Sequence, residues 1–355
     1  MISEVHVTTT TLPLPETLRL GAMEVTEREY AGIRIRTRDG LVGTAYCLTR
    51  DTPMAEIFNR LFKPHLVGAH TTDPAALWES LFRRTAIVGR VGLVRRVLGL
   101  IDIAVWDIVA QRAGVPLWQL LNTGDAPRET VMVSCYPDAS RGVEEMAAEV
   151  IEHARQGWRL LKISRSPDQG LMRRLLQRVL PEIPRSSLII DGGFGWVDST
   201  EVLADLEAWG SPDLAWLEDP LLPEDIDGCA KVRDGLEAPL AVGDEVSDPR
   251  VLQSLMDDGG IDVLRLDVVA IGGITPALEV IEGATRRGRR VSGHIYPEMS
   301  VHLGIGVETF DRQGNRYDPS ATLITGGPVF DAGSTVPTGT PGLGFSLTDF
   351  GFEVR

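Results

Sequence analysis

Apolar and polar positions alternate over much of the first 50 residues, and this alternation predicts β-strands. Residues 2–11 are rich in Val and Thr, and residues 24–38 end in a run in which Ile and Thr alternate with Arg. Asp39-Gly40 follows, a dipeptide that favours a tight hairpin turn, and a further strand pattern covers 41–48. The chain is therefore expected to open with a three-stranded antiparallel sheet.

Helical patterns follow this sheet. Thr52-Pro53 and Asp73-Pro74 each place a capping residue before proline, which is typical of the first turn of a helix. Residues 91–113 repeat apolar side chains at helical spacing and end at Gly114, as a long buried helix would. We therefore predict that residues 1–123 form an α+β domain, in which the helices pack on the sheet.

After residue 124 the pattern changes to short, β-branched runs that alternate with helical stretches. Seven such runs start 23 to 29 residues apart, a spacing typical of parallel strand–helix units. So many units in succession favour a (β/α)-barrel over an open sheet, and the loop after the first run lacks the glycines of a dinucleotide-binding turn. The runs are residues 131–135, 159–163, 188–191, 215–218, 240–244, 263–267 and 290–294.

The last segment of the chain has no regular pattern. From about residue 317 it is rich in glycine and proline, and it is predicted to run over the surface and return to the first domain. The expected division is therefore a barrel domain over 124–316 and a first domain over 1–123, which the tail, 317–355, completes.

Ionisable side chains end six consecutive strands of the predicted barrel. Barrel enzymes carry their chemistry at the carboxyl ends of the strands, so these residues are expected to share one mouth. Three neighbouring carboxylates, Asp191, Glu218 and Asp244, would repel one another unless a cation lay between them. Because all three offer oxygen, Mg²⁺ is favoured over zinc. The six residues are Lys162, Asp191, Glu218, Asp244, Asp267 and His294.

A second metal-binding pattern competes with this one. His294, Glu298 and His302 are four residues apart and would share one face of a single helix. Pro297 disfavours that helix, because a helix begins most easily at proline and His294 would then precede it. We therefore expect His302 to be a packed or solvated helix residue.

Composition and charge narrow the class of protein. The 355 residues include 50 acidic and 35 basic side chains, a formal charge of −15. This balance argues against nucleic acid and against an anionic membrane as partners. Three dispersed cysteines indicate a reducing compartment, and neither a signal peptide nor a membrane-spanning apolar run is expected. A cytoplasmic protein is the expected result.

A series of short motifs occurs in a fixed order along nearly the whole chain. They are Ile101-Asp102-Ile103-Ala104-Val105-Trp106-Asp107 with Gly114-Val115-Pro116, Gly157-Trp158 before Lys162, Asp191 with Trp196, Trp216-Leu217-Glu218-Asp219-Pro220, Gly243-Asp244-Glu245, Asp267 with Gly272-Gly273-Ile274-Thr275, Ser292-x-His294, and Val336-Pro337 with Pro341-Gly342-Leu343-Gly344. In order and spacing these motifs resemble the enolase superfamily and, within it, the mandelate racemase subgroup (mandelate racemase/muconate lactonizing enzyme-like proteins).

This resemblance implies a modified TIM barrel, (β/α)7β, with an N-terminal α+β capping domain. It implies Mg²⁺ on the three neighbouring carboxylates and a reaction that begins with removal of the proton α to a substrate carboxylate. Such a proton is weakly acidic, so the divalent ion and the Lys162 ammonium would stabilise the negative charge that develops. In the subgroup the positions of His294 and Asp267 form a dyad in which histidine is the base.

Three positions depart from the subgroup pattern. The second lysine of the usual pair on the second barrel strand is Ser164, so the face opposite His294 lacks its ordinary base. Gly193 replaces a common asparagine, which removes a substrate contact. Glu308 is the candidate for the acidic electrophile expected after the seventh strand, and the alternative is a solvated strand-end residue.

The missing lysine favours dehydration over racemisation. With His294 as the base, the α-proton and a β-hydroxyl would leave on the same side, so that a sugar acid becomes a 2-keto-3-deoxy acid. Racemisation or epimerisation of a 2-hydroxy acid is the alternative. Lys162 or Tyr136 would then act as the acid or base on the face opposite His294. A second alternative is a non-catalytic homologue that keeps the metal site as a structural clasp, which the retained His294 and Asp267 disfavour.

Substrate identity in this family depends on loops of the capping domain. The loops near residues 12–24 and 49–54 contain Arg19 and Arg50, and each either meets the distal end of an acidic substrate or is a solvated surface charge. The expected partners are a small-molecule carboxylate and further copies of the chain in a homo-oligomer. The expected substrate-binding residues are Ser164, Glu308, Tyr136, Arg19 and Arg50.

Overall fold

A computed structural model gives the fold, and it describes residues 1–20, 23–314, 316–348 and 350–352. The chain opens with a three-stranded antiparallel sheet in the order β1-β2-β3, as its alternation predicted. The strands are β1 (Ile2–Leu20), β2 (Met23–Thr37) and β3 (Val42–Leu48). Gly40 adopts a φ of +87° in the turn between β2 and β3, which a residue without a Cβ adopts at little cost.

The β1–β2 hairpin is much longer than its sequence pattern indicates. The two strands stay paired from Ile2 opposite Thr37 to Leu20 opposite Met23, with an irregularity between Pro13 and Leu18. Side chains of β1 then form an apolar cluster with Tyr317, against which Tyr136 and Phe310 pack. Because Tyr136 and Phe310 lie at the carboxyl ends of barrel strands, the hairpin covers one side of the barrel mouth.

Helices pack on this sheet, and the longest of them is buried along most of its length. Asp73 caps α3 by accepting a hydrogen bond from the Ala76 amide (2.9 Å), as predicted, whereas α1 begins one residue after Pro53 rather than at it. The long helix ends at Gly114, whose φ is +72°. These helices are α1 (Met54–Ile57), α2 (Lys63–Leu66), α3 (Pro74–Thr85), α4 (Leu93–Ala113) and α5 (Leu117–Leu120).

Eight parallel strands form the barrel, and seven helices connect them. The first seven strands pair in chain order, the eighth pairs with the first, with Val307 opposite Thr130, and an isolated bridge between Ser292 and Gly306 connects the seventh strand to the start of the eighth. The strands are β4 (Arg128–Cys135), β5 (Leu160–Ser164), β6 (Leu188–Asp191), β7 (Leu214–Glu218), β8 (Leu240–Val242), β9 (Val263–Leu266), β10 (Arg290–Gly293) and β11 (Val307–Phe310). The helices are α6 (Val143–Arg155), α7 (Gln169–Val179), α8 (Ser199–Ala208), α9 (Ile226–Gly235), α10 (Pro249–Asp257), α11 (Ile274–Arg286) and α12 (Pro297–Ser300). This is the expected (β/α)7β arrangement with an N-terminal α+β unit, so the predicted fold is confirmed.

Two details of the barrel differ from the sequence prediction. The eighth strand, β11, was not among the seven apolar runs. Three of the runs also end earlier than predicted, so that Asp244, Asp267 and His294 follow their strands instead of ending them. The interior of the barrel is closed by one apolar cluster, which consists of Val131, Leu160, Ile189, Trp216, Ala241 and Val263.

Helix α4 joins the first sheet to the barrel through two buried aspartates. Asp102 accepts hydrogen bonds from the amide (2.8 Å) and hydroxyl (2.7 Å) of Thr275 at the start of α11. A Cβ at Gly273 would lie 2.5 Å from the Cβ of Asp102, which explains the glycine. Asp107 accepts from the amides of Thr44 in β3 (3.0 Å) and Leu343 in the tail (2.8 Å).

The tail is less irregular than predicted, because it contains four short strands. They are β12 (Ile324–Gly326), β13 (Val329–Asp331), β14 (Ser334–Val336) and β15 (Phe345–Leu347). The tail does contact the first sheet, since the Tyr30 hydroxyl donates to Asp318 (2.6 Å). The exact division into domains at residues 123 and 317 stays a prediction. Within the part of the chain that is described, no helix is long and apolar enough to cross a membrane.

Candidate active site

Three carboxylates meet at the carboxyl ends of β6, β7 and β8. One oxygen from each of Asp191, Glu218 and Asp244 lies within 4.8 Å of the others. The Gly193 amide donates to Asp191 (2.9 Å) from a backbone with a φ of +55°, a conformation that glycine adopts without strain. Glycine at this position therefore serves the turn that orients the first carboxylate.

Asp219 fixes the loop that carries the third carboxylate. Its two oxygens accept hydrogen bonds from the amides of Gly243 (2.9 Å) and Asp244 (3.2 Å). Burial raises the pKa of Asp219 well above its usual value, and the charges of Asp244 and Glu218 add to this effect. The Trp216 indole donates to Glu218 (2.8 Å). Within the motif at residues 216–220, Trp216 therefore orients the second carboxylate, and Asp219 fixes the loop of the third.

Lys162 lies beside these carboxylates, on the inner face of β5. Its ammonium nitrogen is 3.2 Å from Asp191, 2.7 Å from Glu218 and 2.5 Å from Glu308. Burial works to lower the pKa of Lys162, but the charges of Glu218 and Glu308 raise it well above its usual value. Glu308 is only 1% exposed, which excludes the alternative of a solvated strand-end residue.

Arg265 provides a second cation, which the sequence did not predict. Its guanidinium nitrogens lie 3.2 Å from Asp244, 3.3 Å from Glu218 and 2.6 Å from Glu308. Its third nitrogen donates to Ser292 (2.7 Å), and the side chain is fully buried. A charged residue within the apolar run 263–266, two positions before Asp267, is the sequence signal that could have indicated this role.

The chemistry of this cluster fits a divalent cation. Four carboxylates face two cationic side chains, which leaves two negative charges when all are ionised. Burial raises the pKa of Glu218 to about 7, because the ionised carboxylate is poorly solvated there. A nearby cation would stabilise the ionised form. All three candidate ligands offer oxygen, the donor that Mg²⁺ prefers. Asp191, Glu218 and Asp244 therefore fit a Mg²⁺ ion.

His294 follows β10 and faces the same cluster. Its Nδ1 is 2.8 Å from Asp244 and 3.6 Å from Glu308, and its Nε2 is 3.5 Å from Glu245. Burial works to lower the pKa of His294, but the charge and contact of Asp244 and the contact of Glu245 raise it well above its usual value. The predicted base therefore lies beside the three carboxylates that fit a Mg²⁺ ion, and an ion bound to Asp244 would reduce the charge that raises this pKa.

Asp267 lies close to His294 without a direct hydrogen bond. One oxygen accepts from the amides of Val269 (2.8 Å) and Ala270 (2.9 Å), which fixes the carboxylate. The other oxygen is buried, and it has no hydrogen bond from any described residue; the same holds for both ring nitrogens of His294. An oxygen of Asp267, a nitrogen of His294 and an oxygen of Glu245 lie within 4.8 Å of one another.

Glu245 forms ion pairs with two arginines from the N-terminal part of the chain. Arg50, in the loop after β3, and Arg96, in the first turn of α4, both form ion pairs with its carboxylate. Arg96 also lies 3.6 Å from Asp267. The sequence analysis named Arg50 as a contact for the distal end of the substrate or as a solvated surface charge, and its ion pair with Glu245 was not predicted. The roles of Arg96 and Glu245 were missed, because they depend on packing between α4 and the barrel.

The remaining predicted residues lie at different distances from this cluster. Ser164 pairs in register with Asp191 and shares a strand face with Lys162. Tyr136 packs edge to face on Tyr317, with ring centroids 4.8 Å apart, and burial raises its pKa to about 12. Arg19 has no described contact with the cluster, since it pairs with Glu24 (3.0 Å) and Asp138 (3.2 Å) near the end of the hairpin.

The competing metal site is not formed among the described residues. Glu298 accepts from the Tyr46 hydroxyl (2.8 Å) and from Arg312 (2.5 Å). His302 is fully buried between the Trp118 amide (3.3 Å) and the Leu343 carbonyl (3.1 Å), so it is a packed residue. The helix begins at Pro297, as expected.

Comparison with known families agrees with the fold and the site. Residues 2–122 match the family described as mandelate racemase / muconate lactonizing enzyme, N-terminal domain, and residues 145–350 match the one described as enolase C-terminal domain-like. The chain belongs to the mandelate racemase/muconate lactonizing enzyme family of the enolase superfamily. The resemblance inferred from the motifs is thereby confirmed.

Curated relatives in this family include dehydratases, cycloisomerases and racemases. The L-talarate/galactarate dehydratase of Salmonella typhimurium is 28% identical over 282 residues, which cover 76% of this chain and 68% of that protein. The D-galactarolactone cycloisomerase of Agrobacterium fabrum is 28% identical over 283 residues, covering 78% and 73%. An N-succinyl-L-Arg/Lys racemase of Bacillus cereus is 22% identical over 314 residues, covering 86% and 82%.

Solved structures of similar proteins contain magnesium. The L-talarate dehydratase of Polaromonas sp. JS666, complexed with Mg and L-glucarate, superposes with a TM-score of 0.84 at 25% identity and covers 98% of this chain and 95% of that one. A racemase of Streptomyces coelicolor A3(2) with bound magnesium superposes with a TM-score of 0.87 at 21% identity, covering 98% and 97%. The expected Mg²⁺ therefore agrees with the relatives and with the carboxylate cluster.

Proposed function

We propose that this protein is a Mg²⁺-dependent dehydratase that converts a sugar acid into a 2-keto-3-deoxy acid. The observation that carries the proposal is the arrangement of one histidine beside three metal-binding carboxylates, with Ser164 where a second lysine would provide an opposite base. The dehydratases among the curated relatives support the same reaction class.

Asp191, Glu218 and Asp244 would hold the ion, which would stabilise the negative charge that develops on the substrate carboxylate. Lys162 adds positive charge on the β5 side of the site and cannot accept a proton while three carboxylates surround its nitrogen. Glu308 pairs with that ammonium, and we propose that it helps to position it against the substrate.

His294 is the proposed base. It accepts the proton from C2, and the electron pair of that C–H bond forms the C2–C3 double bond as the hydroxyl leaves C3. The imidazolium returns its proton to the departing hydroxyl, so that water leaves on the same side. The resulting enol tautomerises to the ketone at C2, which gives a 2-keto-3-deoxy acid.

We propose that the substrate's hydroxyls and its distal end contact residues around the mouth. Ser164 and Tyr136 lie at the ends of β5 and β4, and Arg50 enters from the loop after β3 beside Glu245. Arg19 is the outermost candidate, because its side chain is 42% exposed and already paired with two acids.

Racemisation is the second candidate, and the racemases among similar proteins favour it. It needs an acid and a base on opposite faces of the reacting carbon. Lys162 is held as an ammonium, burial raises the pKa of Tyr136 to about 12, and Ser164 stands where a second lysine would lie, so none of the three readily accepts a proton on the face opposite His294. A base confined to the His294 face favours dehydration, and a Mg²⁺ ion on Asp244 would offset the negative charge that raises the pKa of His294. A non-catalytic role is disfavoured by the proximity of His294 and Asp267.

The decisive experiment is a screen of acid sugars with Mg²⁺, in which 2-keto acid is detected as its semicarbazone and C2 epimers by proton NMR. We expect 2-keto acid from at least one sugar acid, and none with His294→Asn or after chelation. Epimerisation without 2-keto acid would favour the racemase, and no change of any acid sugar would contradict both candidates.

We also propose that the protein acts in the cytoplasm as a homo-oligomer. Three apolar side chains in the loop between α3 and α4, Ile87, Val88 and Val91, are 95%, 63% and 47% exposed, as in surfaces that meet a partner. Light scattering checks the assembly, and a monomer at micromolar concentration would contradict it.

A further inference from the structure

Two consecutive arginines in the first turn of α4 are almost buried, and they differ in what they contact. Arg95 is 5% exposed, donates to the Ile271 carbonyl (2.6 Å) and lies over the ring of Trp78 (5.1 Å). Arg96 is 8% exposed, and its partners are acids of the catalytic cluster. A buried guanidinium is costly unless it is paired, so the choice of partners indicates what each arginine does.

Arg96 contacts two carboxylates, Glu245 and Asp267, and each has an oxygen within 4.8 Å of a His294 nitrogen. One of its terminal nitrogens donates to Glu245, and the other is 3.6 Å from Asp267. That second nitrogen and the facing oxygen of Asp267 are both buried, and neither forms a hydrogen bond with a described residue. The remaining oxygen of Asp267 is fixed by two backbone amides. Arg96 is therefore the described side chain that links Asp267 to Glu245.

The two carboxylates would repel each other without this arginine. An oxygen of Glu245 lies 3.5 Å from His294 Nε2, and oxygens of Glu245 and Asp267 and a nitrogen of His294 all lie within 4.8 Å. Like charges at such distances in a buried site are unfavourable, and a guanidinium between them fixes their separation. Glu245 adopts a φ of +61°, so its backbone conformation also depends on partners that hold it.

We propose that Arg96 is a positioning residue for α-proton abstraction: it holds Asp267 and Glu245 beside His294 and thereby sets the orientation of the imidazole. The catalytic histidine on the barrel thus depends on a side chain from the N-terminal helix α4. This inference rests on the proposed function only in taking His294 as the base, since the contacts themselves do not depend on the substrate.

Imidazole NMR tests the proposal without a substrate. The protein is labelled with ¹⁵N-histidine and saturated with Mg²⁺, and the His294 ring signals are assigned as those that disappear in His294→Asn. We expect Arg96→Gln to shift or broaden these signals and Arg96→Lys to do so less. Arg112→Gln is the matched control, because Arg112 lies near the other end of α4 and pairs with Asp39. It should leave the His294 signals unchanged.

Kinetics on the sugar acid found in the screen supply the second readout. We expect Arg96→Gln to lower kcat by about 10- to 100-fold, as substitutions of supporting residues around metal sites do, with KM changed less than about threefold. Because Arg96 acts through Asp267, the double variant Arg96→Gln/Asp267→Asn should be little worse than the poorer single variant.

Unchanged His294 signals in both Arg96 variants would overturn the proposal, and so would multiplicative losses in the double variant. If Arg96→Gln does not fold, Arg96→Lys decides, because lysine keeps the charge but cannot bridge both carboxylates as a guanidinium does. A changed His294 signal in a protein that converts no acid sugar would contradict the proposed dehydratase and still support the positioning role.

Discussion

Ser164 is the residue on which the proposed reaction class depends. It shares the inner face of β5 with Lys162, so a lysine there would place a second ammonium at the mouth. We predict that Ser164→Lys does not increase the dehydration rate and adds slow epimerisation at C2. The new ammonium would be desolvated beside Lys162, and both effects lower its pKa towards the range of a useful acid or base.

The measurement is a proton NMR time course in D₂O with each C2 epimer taken separately. The wild type should exchange the α-proton and form 2-keto acid from one epimer alone, since His294 lies on one face. Ser164→Ala is the control, and it should not epimerise. Equal interconversion of both epimers by the wild type, without 2-keto acid, would instead favour racemisation as the function.

His294 and Asp267 should differ in how much activity their loss removes. We predict that His294→Asn lowers kcat by at least about 100-fold, because it removes the base. Asp267→Asn should cost less, about 10- to 100-fold, because Asp267 fixes orientation without touching the substrate. Both variants should keep the wild-type circular dichroism spectrum and bind Mg²⁺ in calorimetry. Wild-type turnover by His294→Asn would exclude the assigned base.

At this scale the sequence predicted residues whose position in the chain already indicates a site. Asp191, Glu218 and Asp244 follow apolar strand runs, and the barrel geometry alone brings such residues together. Arg265 has only a weak signal, a charge within an apolar strand run, and Arg96 has none, because their roles come from ion pairs between strands and between α4 and the barrel. Tertiary packing decides these contacts, and a linear pattern does not contain it.

Among the elements, helix α4 carries a buried acid that should make stability depend on pH. Burial raises the pKa of Asp102 from 3.8 to about 7 in the folded protein. Between these values the folded state binds one more proton than the unfolded state, so the contribution of Asp102 to the free energy of unfolding decreases as the pH rises. The full effect amounts to about 4 kcal/mol.

We predict that Asp102→Asn removes this part of the pH dependence. Asparagine stays uncharged, so the variant should gain stability relative to the wild type as the pH rises from about 4 to 7. Urea unfolding at four pH values in that range measures the difference. Glu207→Gln, an exposed change on α8, is the control and should follow the wild type. An identical slope for Asp102→Asn and the wild type would contradict the raised pKa.

Elements with a strong local pattern were predictable, and elements that depend on long-range pairing were not. The strand runs and α4 repeat apolar residues at the period of their structure. β1 extends to Leu20 although Pro13 and Pro15 interrupt its pattern. Pairing with β2 and the apolar cluster that β1 forms with Tyr317 stabilise it. The eighth strand, Val307–Phe310, has Glu308 and Thr309 at its centre instead of a continuous apolar run, and its pairing with β4 is what forms it.

At the scale of the whole molecule, the site joins parts of the chain that are far apart in sequence. The three candidate ligands come from three barrel strands, Arg50 and Arg96 come from the N-terminal part, and the tail contacts both β2 and α4. The overall charge of −15 is consistent with a site that holds a cation. Family motifs made this arrangement predictable, whereas the contacts between the parts required the structure.

Mg²⁺ binding should therefore stabilise the entire fold. A ligand that binds the folded state alone adds about 2.7 kcal/mol at a concentration 100 times its Kd. For a chain of 355 residues this corresponds to an increase in Tm of about 4 °C. We predict this increase for the wild type and for Glu207→Gln, and its reversal by chelator. Calorimetric scans with and without Mg²⁺ provide the measurement.

Asp191→Asn distinguishes binding at the proposed site from general effects of the ion. The substitution removes one of three mutually repelling carboxylates, so the metal-free variant should be at least as stable as the metal-free wild type if the loss of the Lys162 contact is small. It also replaces a charged ligand by a neutral amide oxygen, so its Tm should respond much less to Mg²⁺. A variant that kept the full increase in Tm would bind the ion elsewhere, and the assignment of Asp191, Glu218 and Asp244 as the magnesium site would then be wrong.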